Sequence, residues 1–139
     1  MSARPKPAPA RSPCTSCPYR RDVPSGVWAA EEYAKLPRYD ADTAGQPVEP
    51  FFCHQQAGRI CAGWAGCHDM YEALSVRLAA AMGKLTGRAL DLVLSYVSPV
   101  PLHPSGRAAA DHGLRDVLAP GAAARAMSLR LAETRARRT

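Results

Sequence analysis

The sequence predicts a mainly α fold: a small helical domain whose N-terminal half is irregular, has little strand and needs a metal staple. Three observations carry this. Apolar residues recur at helical spacing only after residue 69. The first half is broken by Pro and Gly. Its cysteines fall in two separated groups, Cys14/Cys17 and Cys53/Cys61, with Cys67 beyond. A chain of 139 residues is the length of one ordinary domain. We therefore read residues 1–13 as a flexible, basic, Pro-rich arm and 14–139 as a single metal-binding helical domain.

Each element follows from local chemistry. Pro5, Pro7, Pro9 and Pro13 remove backbone donors and favour extended chain. After the Cys14–Pro18 turn, a short helix is expected that contains residues 27–36, with Ser25 near its start, Glu31 and Glu32 in its earlier turns and Pro37 at its end. Residues 38–50 are polar and turn-rich, so they read as loop. Phe51-Phe52 begin a short extended run, and Gly58, Gly63 and Gly66 keep the chain irregular to Cys67.

Asp69 and Glu72 have capping-box spacing. They open a helix with Met70, Leu74 and Leu78 on one apolar face, Met82 alongside, and Gly83 as C-cap. Thr86 is placed to cap the next helix, where Leu90, Val93, Leu94 and Val97 form one stripe that Pro99 ends. A short helix should run from Ser105 to Asp111 with Gly113 as its stop. A last one should begin near Pro120, with Met127 and Leu131 on one face and arginines on the other.

Charge and composition exclude several functions. The net charge is +6 and is concentrated at the ends: Arg4, Lys6, Arg11, Arg20 and Arg21, then Arg125, Arg130, Arg135, Arg137 and Arg138, around a mildly acidic body. Basic ends can meet phosphates. Nucleic acid, or else a host or regulatory protein, is the expected partner. No apolar run is long enough to cross a membrane, and no secretory signal is visible, so the expected location is cytoplasmic.

Five cysteines in a reducing compartment point to a metal site rather than a disulfide framework. Cys14-x2-Cys17 is a bidentate clamp. Cys53 and Cys61 can supply two more thiolates, because the seven intervening residues include Gly58. Gly63 would let backbone approach the centre without a Cβ clash. Such soft donors suit zinc or iron–sulfur, not calcium or magnesium. The expected metal ligands are Cys14, Cys17, Cys53 and Cys61. His54, Trp28 and Trp64 are expected around them, His54 bonding a thiolate and the indoles keeping out water. Cys67 or His54 competes for a ligand place. His68 and His103 read as surface or capping residues, and His112 as a helix C-terminal cation. Zinc is the expected occupant, a [4Fe-4S] cluster the alternative, since Cys17-Pro18 also fits cluster ligation.

The segments PCTSCPYRRDVPSGVW (13–28), FFCHQQAGRICAGW (51–64) and, more loosely, 95–124 resemble an uncharacterised family of small proteins from actinobacteria and their phages. That resemblance implies a central cluster of Cys14, Cys17, Cys53, His54 and Cys61 and implies no activity. The run Cys14-x2-Cys17-Pro18-Tyr19-Arg20 with Gly26-Val27-Trp28-Ala29 is also similar to WhiB-like iron–sulfur regulators, without their further cysteine shortly after the CxxCP run. The sequence thus reads as a non-enzymatic, four-cysteine zinc module with a regulatory role. An iron–sulfur redox sensor is the first alternative. A thiol enzyme using a cysteine nucleophile with His54 or His68 is the second; it lacks a residue placed to orient the base.

Overall fold

The computed structural model describes residues 4–138. Six α-helices order them: α1 (Ala30–Ala34), α2 (Ala62–Cys67), α3 (Leu74–Ala81), α4 (Gly87–Leu94), α5 (Gly106–Leu114) and α6 (Ala122–Arg138). Short 3-10 turns cover Leu36–Asp40, Thr43–Gly45 and Met70–Glu72. Among the described residues, extended pairing is confined to two isolated antiparallel bridges, Arg20 with Leu102 and Phe52 with Ile60. The fold is a small helical domain, as the sequence predicts.

Several helices differ from the expectation, each for a local reason. The first is only five residues long; Trp28 precedes it, its backbone N–H donating to the Tyr33 hydroxyl at 3.1 Å. The Gly-rich stretch after Cys61 is helical, although it reads as irregular. Asp69 does accept from the Tyr71 N–H, but it caps a 3-10 turn, and α3 starts only at Leu74. Consequently α3 buries Ser75 and Val76, leaving Leu78 and Met82 exposed. Helix α4 ends at Leu94, where the Ser95 hydroxyl donates back to the Asp91 carbonyl at 2.7 Å. Val97 is therefore outside the stripe and exposed.

Gly113 does not stop α5; it lies inside it. A Cβ there would overlap the Tyr33 ring. The Gly113 carbonyl accepts from the Gly26 N–H at 2.9 Å and from the Ser25 hydroxyl at 3.0 Å. Helix α5 thus docks on α1 and on the 3-10 turn after it, where Gly106 meets the Leu36 carbonyl with no room for a side chain. One core runs through the molecule, with Tyr19, Tyr33, Leu36, Ile60, Trp64, Val76, Leu85 and Val93 buried.

The Pro-rich segment reads as a flexible arm, yet its described part lies against the body. Residues 1–3 fall outside the described residues. Ala8 and Pro9 are buried. The Pro7 carbonyl accepts from Ile60 N–H at 2.8 Å, and Arg59 donates to the Arg4 and Ala8 carbonyls, each at 3.1 Å. Lacking backbone donors, such a segment is joined through its carbonyls to donors of the body. No described helix is long and apolar enough to cross a membrane.

The α1–α5 contact gives a direct test. Gly113→Ala should cost about 1–3 kcal/mol in urea unfolding, because the added methyl must displace a packed ring. Gly121→Ala, where a Cβ meets nothing within 4 Å, should be neutral or stabilising. Equal stability of the two variants would contradict this packing.

Candidate metal centre

The Cys14–Cys17 loop is a tight turn: the Cys17 N–H donates to the Cys14 carbonyl at 3.0 Å, and Arg20 N–H to the Cys17 carbonyl at 3.0 Å. The second loop, 53–61, is closed by Cys53 N–H to Arg59 O and Cys61 N–H to Phe51 O, both 2.8 Å. Cys61 then becomes the N-cap of α2. These two loops face each other. Cys17 Sγ lies 3.8 Å from Cys61 Sγ, and Cys53 Sγ lies 3.9 Å from Cys14 Sγ. Cys14 and Cys17 share one tight turn, so the two sulfur pairs, Cys17 with Cys61 and Cys14 with Cys53, are neighbours. All are free thiols.

Cys17 and Cys61 are buried; Cys14 and Cys53 are partly exposed. Among the described residues, no group of three or more His, Cys, Asp or Glu side chains is arranged as a metal would hold it; the sulfurs meet two by two. A void of about 10 Å³ is bounded by Cys14, Cys53 and Cys61 together with Arg59 and Ala62. That is close to the space of one small sphere.

Gly63 explains how the loops come so close. A Cβ on it would fall within the Cys17 sulfur and crowd Tyr19, so only glycine lets the first turn of α2 pass over that thiol. Backbone N–H groups also reach the sulfurs: Tyr19 at Cys17, Gln55 and Gln56 at Cys53. Such donors favour the thiolate. They are outweighed. The Cys17 contact, with burial, pushes Cys14 up to about 11. The Cys14 contact and burial push Cys53 up strongly. For Cys17 the Cys14 contact pulls downward, but Cys61 and burial win. Cys14, Cys17 and Cys53 are thus held toward the neutral thiol, a form whose proton a bound cation would displace.

The surrounding residues divide. Trp28 Nε1 donates to the Ser16 carbonyl at 2.8 Å, bracing the Cys14–Cys17 loop. Trp64 follows Gly63 in α2 and is 1% exposed. His54 does not bond a thiolate among the described contacts: its Nε2 is 2.6 Å from Glu32 Oε2, and its ring packs on Trp28 at 4.7 Å. With Glu32 in reach, an imidazole gains more from a carboxylate than from a neutral thiol. Cys67 stands apart, donating to the His103 carbonyl at 3.4 Å, with burial and then Asp40 pushing it up to about 12.

His68 is no simple surface residue. Its Nδ1 is 3.0 Å from the Trp64 carbonyl and its Nε2 2.9 Å from Asp40 Oδ1. Asp40 also accepts from the Gly106 and Arg107 N–H groups, each at 2.8 Å, binding α2 to the start of α5. Sequence reasoning missed Asp40, which stands in an unpatterned polar run with no local signal. Burial raises its pKa, but His68 and the two N–H groups outweigh that and hold it below its ordinary range. Glu32 is likewise held down, by His54 first and Lys35 next.

The fold and its cysteines define a class: a small helical domain built around two facing thiol loops. The chain belongs to a family of unknown function, DUF6283, whose match spans residues 9–135. No curated protein and no solved structure matches it.

Carboxylates with depressed pKa values contribute stability that is present above their unfolded range and lost as pH falls through the folded value. Acidification below about pH 4 should therefore weaken the protein. Asp40→Asn should flatten that part of the acid profile and cost about 1–3 kcal/mol at neutral pH, by weakening the bonds to His68 Nε2 and two backbone donors. An unchanged acid profile in Asp40→Asn, followed by circular dichroism, would contradict the assignment.

Proposed function

We propose that this protein is a non-enzymatic module in which Cys14, Cys17, Cys53 and Cys61 hold one zinc ion, and that the module contacts nucleic acid. The spacing of the sulfurs carries the reading. A tetrahedral zinc with bonds of about 2.3 Å separates its thiolates by ~3.8 Å, matching the 3.8 and 3.9 Å contacts. The close sulfur contacts and the pass of Gly63 over Cys17 suit one ion better than a cubane, which spreads its thiolates over four irons. Zinc there would be structural: four thiolates close its coordination and leave no place for a reacting group. Trp28 and Gly63 fix the loops, and backbone N–H groups of Tyr19, Gln55 and Gln56 offset the thiolate charge.

The partner is argued from charge. Helix α6 presents Arg125, Arg130, Arg135 and Arg137 at the surface, and acids are scarce at both ends of the chain. Guanidiniums spread around a helix, with Arg135 also lying over the Trp28 ring at 5.6 Å, suit phosphate backbone rather than base reading.

Protein purified from zinc-containing medium should carry one zinc per chain by elemental analysis. Cys14→Ser, Cys17→Ser, Cys53→Ser and Cys61→Ser should each lose it and unfold early, since metal and folding energies are coupled. Cys67→Ser should retain it. Iron with visible colour would favour the cluster; loss of zinc on Cys67→Ser but not Cys53→Ser would reassign the ligands.

Binding to duplex DNA or RNA should be steeply salt-dependent. About four phosphate contacts imply a loss of roughly a hundredfold between 50 and 200 mM salt, and Arg130→Ala with Arg137→Ala should halve that slope. Absence of binding at low salt would leave a protein as the partner.

A further inference from the structure

The sequence predicts an apolar face that includes Leu78 of α3 and Met82 at its C-cap, yet both are exposed. Both lie i, i+4 on a ridge that faces a groove of about 470 Å³. The opposite wall comes from the segment leading into the second cysteine loop, where Val48 is 67% and Phe52 45% exposed; Met82 is 61% exposed and Leu78 37%. Four large apolar side chains around one concavity form a patch of the kind that soluble proteins keep covered. The same groove is lined by one acid, Glu49, and one base, Lys84. Neither side chain belongs to an ion pair among the described residues.

We infer that this groove is the contact between two copies of the chain, related by a two-fold axis, with Met82 and Phe52 of each copy covered by the other and Glu49 paired with Lys84 across the axis. An isologous contact must be self-complementary, residue i meeting j while j meets i. A patch with one free acid and one free base around an apolar centre meets that requirement. A partner of uniform charge would leave one of the two opposed. The helical ridge of Leu78 and Met82 supplies the convex part that a concave groove needs from its opposite number. The zinc-site reading is not involved, so either can fail alone.

Sedimentation equilibrium of the full chain as purified, at physiological salt and up to millimolar concentration, tests it. The wild type should pass from monomer to dimer. Met82→Asp should abolish the dimer. Glu49→Lys and Lys84→Glu should each weaken it about tenfold, and the double reversal should restore it, because the pair is re-formed with signs exchanged. Phe52→Ser, on the other wall, guards against a Met82 variant that fails to fold, and should also weaken the dimer. Val97→Asp, exposed but outside the groove, should change nothing. A monomer at every concentration would overturn the proposal. So would a dimer indifferent to Met82→Asp and Phe52→Ser, or a double reversal no better than the single ones.

Discussion

The close pass of α2 over the Cys17 thiol is the contact on which the irregular half depends. It requires Gly63, because any Cβ would occupy the sulfur's space. Once that pass is made, Cys61 at the helix N-cap comes to 3.8 Å from Cys17, and the bridge between Phe52 and Ile60 brings Cys53 up to Cys14. Loops of this length lose considerable chain entropy on closure. Neutral thiols in contact offer little to offset it; thiolates on a shared cation would offer far more.

The rest of the molecule is arranged to hold the two loops in register. Trp28 reaches from the start of α1 to the Ser16 carbonyl. Arg59 gathers carbonyls of the N-terminal segment over the second loop. Asp40 takes three hydrogen bonds and ties α2, through His68, to α5. In turn α5 fits α1 and the 3-10 turn after it only because Gly113 leaves space for the Tyr33 ring and Gly106 for the Leu36 carbonyl. These are polar and steric couplings between distant segments. They compensate for a core that has few long apolar helices.

Legibility followed the range of the forces. That the two cysteine groups would face each other could be read, because thiols at short spacing suggest a shared site, and Gly63 because a close approach next to a cysteine has a local rationale. Asp40 could not be read: its partners are 28, 66 and 67 residues away. Adjacency to Cys53 places His54 beside a thiolate, but its bond goes to Glu32 of α1. Gly113 looked like a stop signal, and the ring of Tyr33 made it a packing position instead.

By itself the sequence determined the helical class, the approximate place of α3 to α6 and the two cysteine groups, since periodicity, caps and side-chain chemistry act within a few residues. The tertiary structure alone decided which face of α3 is buried, where Cys67 lies and which carboxylates meet His54 and His68. Those outcomes depend on which segment occupies the neighbouring space, and a local pattern carries no record of it.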